Sequence, residues 1–283
     1  MSGQLTDEDI ARYERDGFVF PIDVLDAHQA KAMRAEIEAA EYQHRDDPAA
    51  SAAIRFRTNF VIPSVDALTR SSAITDSVAA LLGEDLLVWG CSLFSKDARS
   101  PHFVSWHQDL HYWGLSADDE LTVWVALSPA NTTSGCMRFL PGSQRHVVEH
   151  VDTFSSDNLL SRGQELSVEV DERDAVDAPL ESGQASLHHG RTFHASHPNR
   201  SDDRRLGLAI RYIVPGMAQQ SGDKAFATLA RGTDGHGNFE LFAGPRGTVD
   251  SADLDVVRRA LEVNHRNNYR GAAQRPEPLE SSM

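Results

Sequence analysis

The chain has 283 residues, 40% of them hydrophobic, enough to bury one large core. Its formal charge of −15, from 42 acidic and 27 basic residues, argues against nucleic acid and anionic membrane surfaces as partners. Two cysteines (Cys91 and Cys136) give no disulfide framework, no run of about 18 apolar residues offers a membrane span, and the N-terminus lacks a secretory pattern, so a cytoplasmic protein is expected.

Thr6 opens a capping-box-like Thr-x-x-Asp, which predicts a helix to about Asp16, stopped by Gly17. Phe18–Ile22 reads as a short strand. A second helix is predicted from Asp26 to about Glu41, with Ala30, Met33, Ile37 and Ala40 on one face. Residues 42–53 are polar and Ala-rich and are expected to form a loop. Residues 73–83 predict a third helix, ended by Gly83. From Leu86 onward short strands alternate with turn clusters, as in an all-β barrel. If residues 104–111 are extended, His107, Asp109 and His111 project to one side and Trp106, Gln108 and Leu110 to the other. In Leu121–Ser128, the face carrying Thr122, Trp124, Ala126 and Ser128 is expected toward a site. Residues 151–180 are acidic and poorly periodic; they read as a long insertion between barrel strands, the kind of segment that often forms a lid. Pro198–Asp203 carries turn chemistry, and residues 205–213 then alternate as a strand should. A last helix is predicted near Ala252–Asn264. The Pro- and Ser-rich tail, 271–283, is expected to be disordered. No repeat or second-domain boundary interrupts residues 1–270, which are expected to form one domain, as a monomer or homodimer.

The chemistry concentrates in two places. His107-Gln108-Asp109, with one distant histidine, supplies the residues of a 2-His-1-carboxylate iron site, which leaves open positions on one face of the metal. A lone His-x-Asp is weak, since the chain holds thirteen histidines and Asp109 could equally pair with His111. Downstream, His188, His189, His194 and His197 crowd ten positions, and composition does not choose among them. On the strand that follows, Leu206, Leu208, Ile210 and Tyr212 form one face and Arg205, Gly207, Ala209 and Arg211 the other. Two arginines spaced by Gly and Ala suit a cavity that admits an anion; an edge strand with solvated arginines is the alternative.

Three runs in order resemble the phytanoyl-CoA dioxygenase (PhyH) family: His107–Tyr112, Gly135–Ser143 and His194…Asn199…Arg205. The resemblance extends from about Leu5 to about Pro245. It implies a mainly β double-stranded β-helix (jelly-roll, cupin-like) core with flanking helices, and an oxygenase using iron(II), 2-oxoglutarate and O2. It assigns His107, Asp109 and His194 to the metal, and Arg205 to the far carboxylate of 2-oxoglutarate, with Ser196 joining that contact and Trp124 walling the site. A planar guanidinium suits a carboxylate better than lysine does. Asp109 stands where related halogenating enzymes have Ala or Gly, which argues against halogenation. His188, His189 and His197 revert to supporting hydrogen bonders, and Cys136 to a small core residue.

For the substrate, Arg57, Asn59, His111, Tyr112, Trp113 and Arg211 are the candidate contacts. The expected reaction is hydroxylation of an unactivated C–H bond of a small polar metabolite, with release of succinate and CO2. The segment Ala230–Phe239 looks similar to bacterial members acting on aminoalkylphosphonates and comparable molecules. A natural-product tailoring oxygenase is the runner-up, and a non-catalytic metal-binding barrel a third reading.

Overall fold

The computed structural model describes residues 4–269 and Ala272, so the tail predicted to be disordered lies, Ala272 aside, outside the described residues. Helix α1 (Asp7–Asp16) begins as the sequence predicts: Thr6 closes a capping box with Asp9, and Gly17 ends it at φ 86°. Strand β1 (Phe18–Asp23) and helix α2 (Ala27–Gln43) follow, and α2 buries Ala30, Met33, Ile37 and Ala40. The loop expected over residues 42–53 is largely helix, because α3 (Pro48–Phe56) starts there. Asp47 accepts hydrogen bonds from the Ala49 and Ala50 backbones, and Pro48 pre-sets the first turn. Helices α4 (Thr58–Val61), α5 (Pro63–Thr69) and α6 (Ser72–Leu82) complete the helical layer, with Gly83 at the end of α6.

The strands then run β2 (Leu86–Lys96), β3 (Val104–His107), β4 (Glu120–Ala126), β5 (Met137–Phe139), β6 (His150–Asp152), β7 (Gln164–Leu166), β8 (Val176–Ala178), β9 (Gln184–His188), β10 (His194–Ser196), β11 (Arg205–Ile213), β12 (Phe226–Arg231) and β13 (Glu240–Leu241). A one-turn helix, α7 (Leu110–Trp113), follows β3, and α8 (Ser251–Asn268) ends the described chain, a turn longer than predicted. One sheet has seven strands in the order β1-β9-β4-β11-β2-β12-β13, and a second has four, β3-β10-β5-β8. Among the described residues neither sheet closes into a barrel; the architecture is a pair of jelly-roll sheets with flanking helices. The segment 151–180, read as a poorly periodic insertion, carries the β6–β7 hairpin and strand β8, which pairs with β5 at the edge of the small sheet. Among the described residues no helix is long and apolar enough to cross a membrane.

Strand β11 organises the molecule. It lies between β4 and β2, and its alternation divides its surroundings as predicted. Leu206, Leu208, Ile210 and Tyr212 join the core that the large sheet shares with α2–α6, including Ile37, Ile54, Phe60 and Val78. Burying four such side chains is worth roughly 1.5–3 kcal/mol each. The opposite face, with Arg205, Ala209 and Arg211, turns toward a cavity between the two sheets.

Candidate metal centre and adjoining cavities

The extended reading of residues 104–111 holds only to His107, where β3 ends. Asp109 is αR (φ −63°, ψ −48°) and leads into α7. His111 therefore does not share a strand face with Asp109; its ring packs 4.3 Å from that of His150. The turn still brings Asp109 to His107, with Oδ1 3.4 Å from Nε2. His194, on β10, pairs in register with His107. One ligand atom from each of His107, Asp109 and His194 lies within 4.8 Å of the others, a spacing that could hold one metal ion.

Both imidazoles are oriented by their rear nitrogens. His107 Nδ1 donates to the carbonyls of Ser105 (2.9 Å) and His194 (3.1 Å), and His194 Nδ1 donates to Thr192 (3.0 Å). A carbonyl only accepts, so the proton sits on Nδ1 and Nε2 presents a lone pair. Burial and the neighbouring His107 push His194 down to about 4, which keeps that lone pair unprotonated near neutral pH. Burial works to raise the Asp109 carboxyl. The facing His107 and His194 rings, which would carry charge only once protonated, and the Arg211 guanidinium outweigh it and hold the group well below the usual carboxylate range.

Gln108, between His107 and Asp109, ties the turn in place. Gln108 Nε2 donates to the carbonyls of His146 (2.7 Å) and Arg191 (2.6 Å), and its backbone N–H donates to His150 Nε2 (2.9 Å). On the other side, Leu110 N–H bonds the Gly190 carbonyl, and Gly190 N–H bonds buried Glu120.

A narrow inner cavity adjoins the trio. It is lined by His107, Asp109 and His194 and by Arg205, Ser196, Trp124, Thr122, His188 and Arg211. The Arg205 guanidinium lies 5.0 Å from the Trp124 ring centroid, and its Nη1 donates to the Gly135 carbonyl at 2.7 Å. Arg204 turns the other way and pairs with Glu41 of α2. Sequence reasoning missed Lys96, whose Nζ donates to Ser196 Oγ at 2.6 Å. Lys96 pairs with Arg205 across the β2–β11 ladder. Burial and the Arg205 charge push it down to about 6. The alternation Ser92, Phe94, Lys96 along β2 is the signal that could have found it.

Gly207 is required by this packing. A Cβ there would lie 2.1 Å from Trp124 Cζ2, and the indole cannot yield without moving the cavity wall. Gly207→Ala is expected to cost about 1–3 kcal/mol of stability, as overpacked cores do. A thermal melt checks this, and a wild-type melting temperature would refute it.

An outer cavity of about 210 Å³ meets the inner one at Phe94, His107, Asp109 and Arg211. Tyr112, Trp113 and Arg211 line it, as do Trp89 and, from α8, Asn264 and Asn268, three residues that sequence reasoning did not single out. Arg57, Asn59 and His111 line neither cavity. Arg57 is buried behind β2, where Nη1 donates to the Trp89 carbonyl at 2.6 Å, and Asn59 faces Thr228 at 3.4 Å. Of the spare histidines, His189 accepts from the Arg191 backbone and His197 meets Arg138, both as expected, but neither nitrogen of His188 has a hydrogen-bond partner. Cys136 is buried and unpaired.

The buried trio, spaced to hold one metal ion, sits in a fold shared with a non-heme monooxygenase. The chain belongs to the phytanoyl-CoA dioxygenase (PhyH) family, whose model matches residues 13–207. It is 33% identical over 156 residues to a probable alpha-ketoglutarate-dependent hypophosphite dioxygenase of Stutzerimonas stutzeri, covering 53% of each chain. The chain spans about half the length of the first curated relatives it matches. Among solved structures it is similar to the non-heme monooxygenase ThoJ in its apo form, with 34% identity, 92% and 96% of the two chains covered and a TM-score of 0.82. CytC3 with Fe(II) and alpha-ketoglutarate, at 20% identity, TM-score 0.64 and 86% and 94% coverage, shares the fold.

Proposed function

We propose that His107, Asp109 and His194 bind iron(II), and that Arg205, with Ser196 and Trp124, holds the far carboxylate of 2-oxoglutarate in the inner cavity. The observation that carries this is the shared lining: the trio and a fully buried, cavity-facing arginine bound the same space. When bound, iron and 2-oxoglutarate supply the oxidising chemistry, consuming O2 and releasing succinate and CO2. The protein's own part is to orient, neutralise charge and exclude water. The reaction is hydroxylation of an unactivated C–H bond of a small polar metabolite in the outer cavity. We place it in the reducing cytosol, on the strength of the two unpaired cysteines.

The outer cavity favours an anionic or zwitterionic substrate of aminoalkylphosphonate or amino-acid type. Arg211 provides a cation beside the metal trio, with a buried Nε that has no partner. Asn264 Oδ1 and Asn268 Oδ1, one turn apart on α8, are buried acceptors with no donor among the described residues and suit an ammonium or N–H group. The aromatic walls Trp89 and Trp113 leave space only for a small molecule. The hypophosphite named for a relative supports an anionic head group.

Anaerobic titration with iron(II), then 2-oxoglutarate, then 2-aminoethylphosphonate tests this reading. The expected result is the weak visible charge-transfer band of the chelate, perturbed by the third addition. Absence of the band with iron bound would overturn the assignment. Arg211→Ala should keep the band and weaken the perturbing ligand by about tenfold or more, the loss of one charge-assisted hydrogen bond. Unchanged affinity would remove Arg211 from the substrate site.

A further inference from the structure

His188 is almost completely buried on β9, and neither of its ring nitrogens has a hydrogen-bond partner among the described residues. A neutral imidazole carries one donor and one acceptor, and leaving both unpaired away from water incurs their full desolvation cost. Buried polar groups of this kind are normally paired, so an orphan needs an explanation. Both the donor and the acceptor of His188 lie in a side chain that lines the inner cavity. Its ring centroid is 4.7 Å from that of His194 and 5.3 Å from that of Phe139.

A second orphan lies next to it. Thr122 of β4 pairs in register with His188 on one side and with Arg211 of β11 on the other. Its hydroxyl is buried without a partner and lines the same cavity. His188, Thr122 and Arg211 thus form a polar row across the floor of the large sheet, on the side of the metal trio. Arg205, Ser196 and Lys96 cluster separately, around the start of β11 and the end of β2. A histidine ring keeps at least one N–H donor in either of its protonation states.

We propose that His188 is a binding residue for the chelating end of 2-oxoglutarate, its ring N–H donating to an oxygen of the 1-carboxylate or keto group, with the Thr122 hydroxyl as a second donor. This rests on the metal and cosubstrate assignment above. It divides the cosubstrate between two polar clusters: Arg205, Ser196 and Lys96 at the far carboxylate, and His188 and Thr122 at the metal end. His188 is not a fourth ligand in this arrangement, since one atom from each of three other residues already forms a compact set.

Anaerobic titrations of wild type and variants measure iron(II) affinity and 2-oxoglutarate affinity separately, the second by the chelate band. His188→Ala is expected to bind iron with wild-type affinity and to weaken 2-oxoglutarate at least tenfold. His188→Gln, which keeps a donor, is expected to recover part of the loss. Thr122→Val, which keeps the side-chain volume, is expected to weaken 2-oxoglutarate several-fold and covers the case in which the His188 variants do not fold. No band in the wild type would sink the cosubstrate reading itself. A normal wild-type band with unchanged 2-oxoglutarate affinity in His188→Ala and Thr122→Val would overturn this proposal alone. Loss of iron in His188→Ala would also overturn it, by making His188 a ligand.

Discussion

Asp109→Ala is expected to abolish turnover and to lower iron(II) affinity by roughly a hundredfold or more. Even partners outside the ligand set cost about 10–100-fold when removed, so loss of the only anionic ligand should exceed that range. The carboxylate is fixed at its position by its neighbours: Gln108 is bonded to the carbonyls of His146 and Arg191, and Leu110 to that of Gly190. Alanine leaves that scaffold in place and takes away the charge. The group is held ionised despite burial, so acid protonates it only far below neutrality. Metal loss on acidification should therefore follow His194, which burial and the neighbouring His107 hold at about 4 before any metal is added. Metal analysis and succinate release check the prediction, and product formation at the wild-type rate would remove Asp109 from the metal site.

Arg205→Ala is expected to raise the 2-oxoglutarate KM by about 30-fold or more while leaving iron affinity unchanged. A charge-assisted hydrogen bond contributes roughly 1.5–3 kcal/mol, and a bidentate pair makes two. Arg205→Lys should not restore binding, because the Trp124 ring and the Gly135 carbonyl fit a planar fork and not a point charge. Lys96 sits beside it, but burial and the Arg205 charge depress its pKa to about 6, and its Nζ is already tied to Ser196 and to the His197 carbonyl. Arg204→Ala serves as the control: its partner is Glu41 on the far side of the strand, and the KM should not move. Unchanged KM in Arg205→Ala would transfer the anchor to Arg211 or Lys96.

The elements with strong local rules were legible. The Thr6 capping box, the buried stripe of α2 and the two faces of β11 all follow from periods of 3.6 and 2.0 acting on a single chain segment. Because Arg205 and Arg211 sit at odd positions between apolar even ones, their inward direction was readable without the fold. The backbone at Asp109 was not. A strand reading places Asp109 with His107 by alternation, whereas the chain does so by turning into α7, and only the second route sends His111 to His150. Helix α3 is not legible from the polarity of its Ala-rich stretch; the signal for it is the Asp47-Pro48 start, a capping carboxylate followed by Pro in the first turn. Lys96, Asn264 and Asn268 owe their places to contacts between distant segments, which no local period encodes.

The family match ends at residue 207, yet Arg211, Asn264 and Asn268 lie beyond it and wall the outer cavity. The trio and Arg205 all fall inside it. On the proposed assignments, the metal and cosubstrate contacts therefore fall inside the matched region, as does most of the outer wall, including Trp89, Tyr112 and Trp113. The polar contacts proposed for a substrate, Arg211 and the α8 asparagines, fall outside it, so likeness over the matched region carries no information about them.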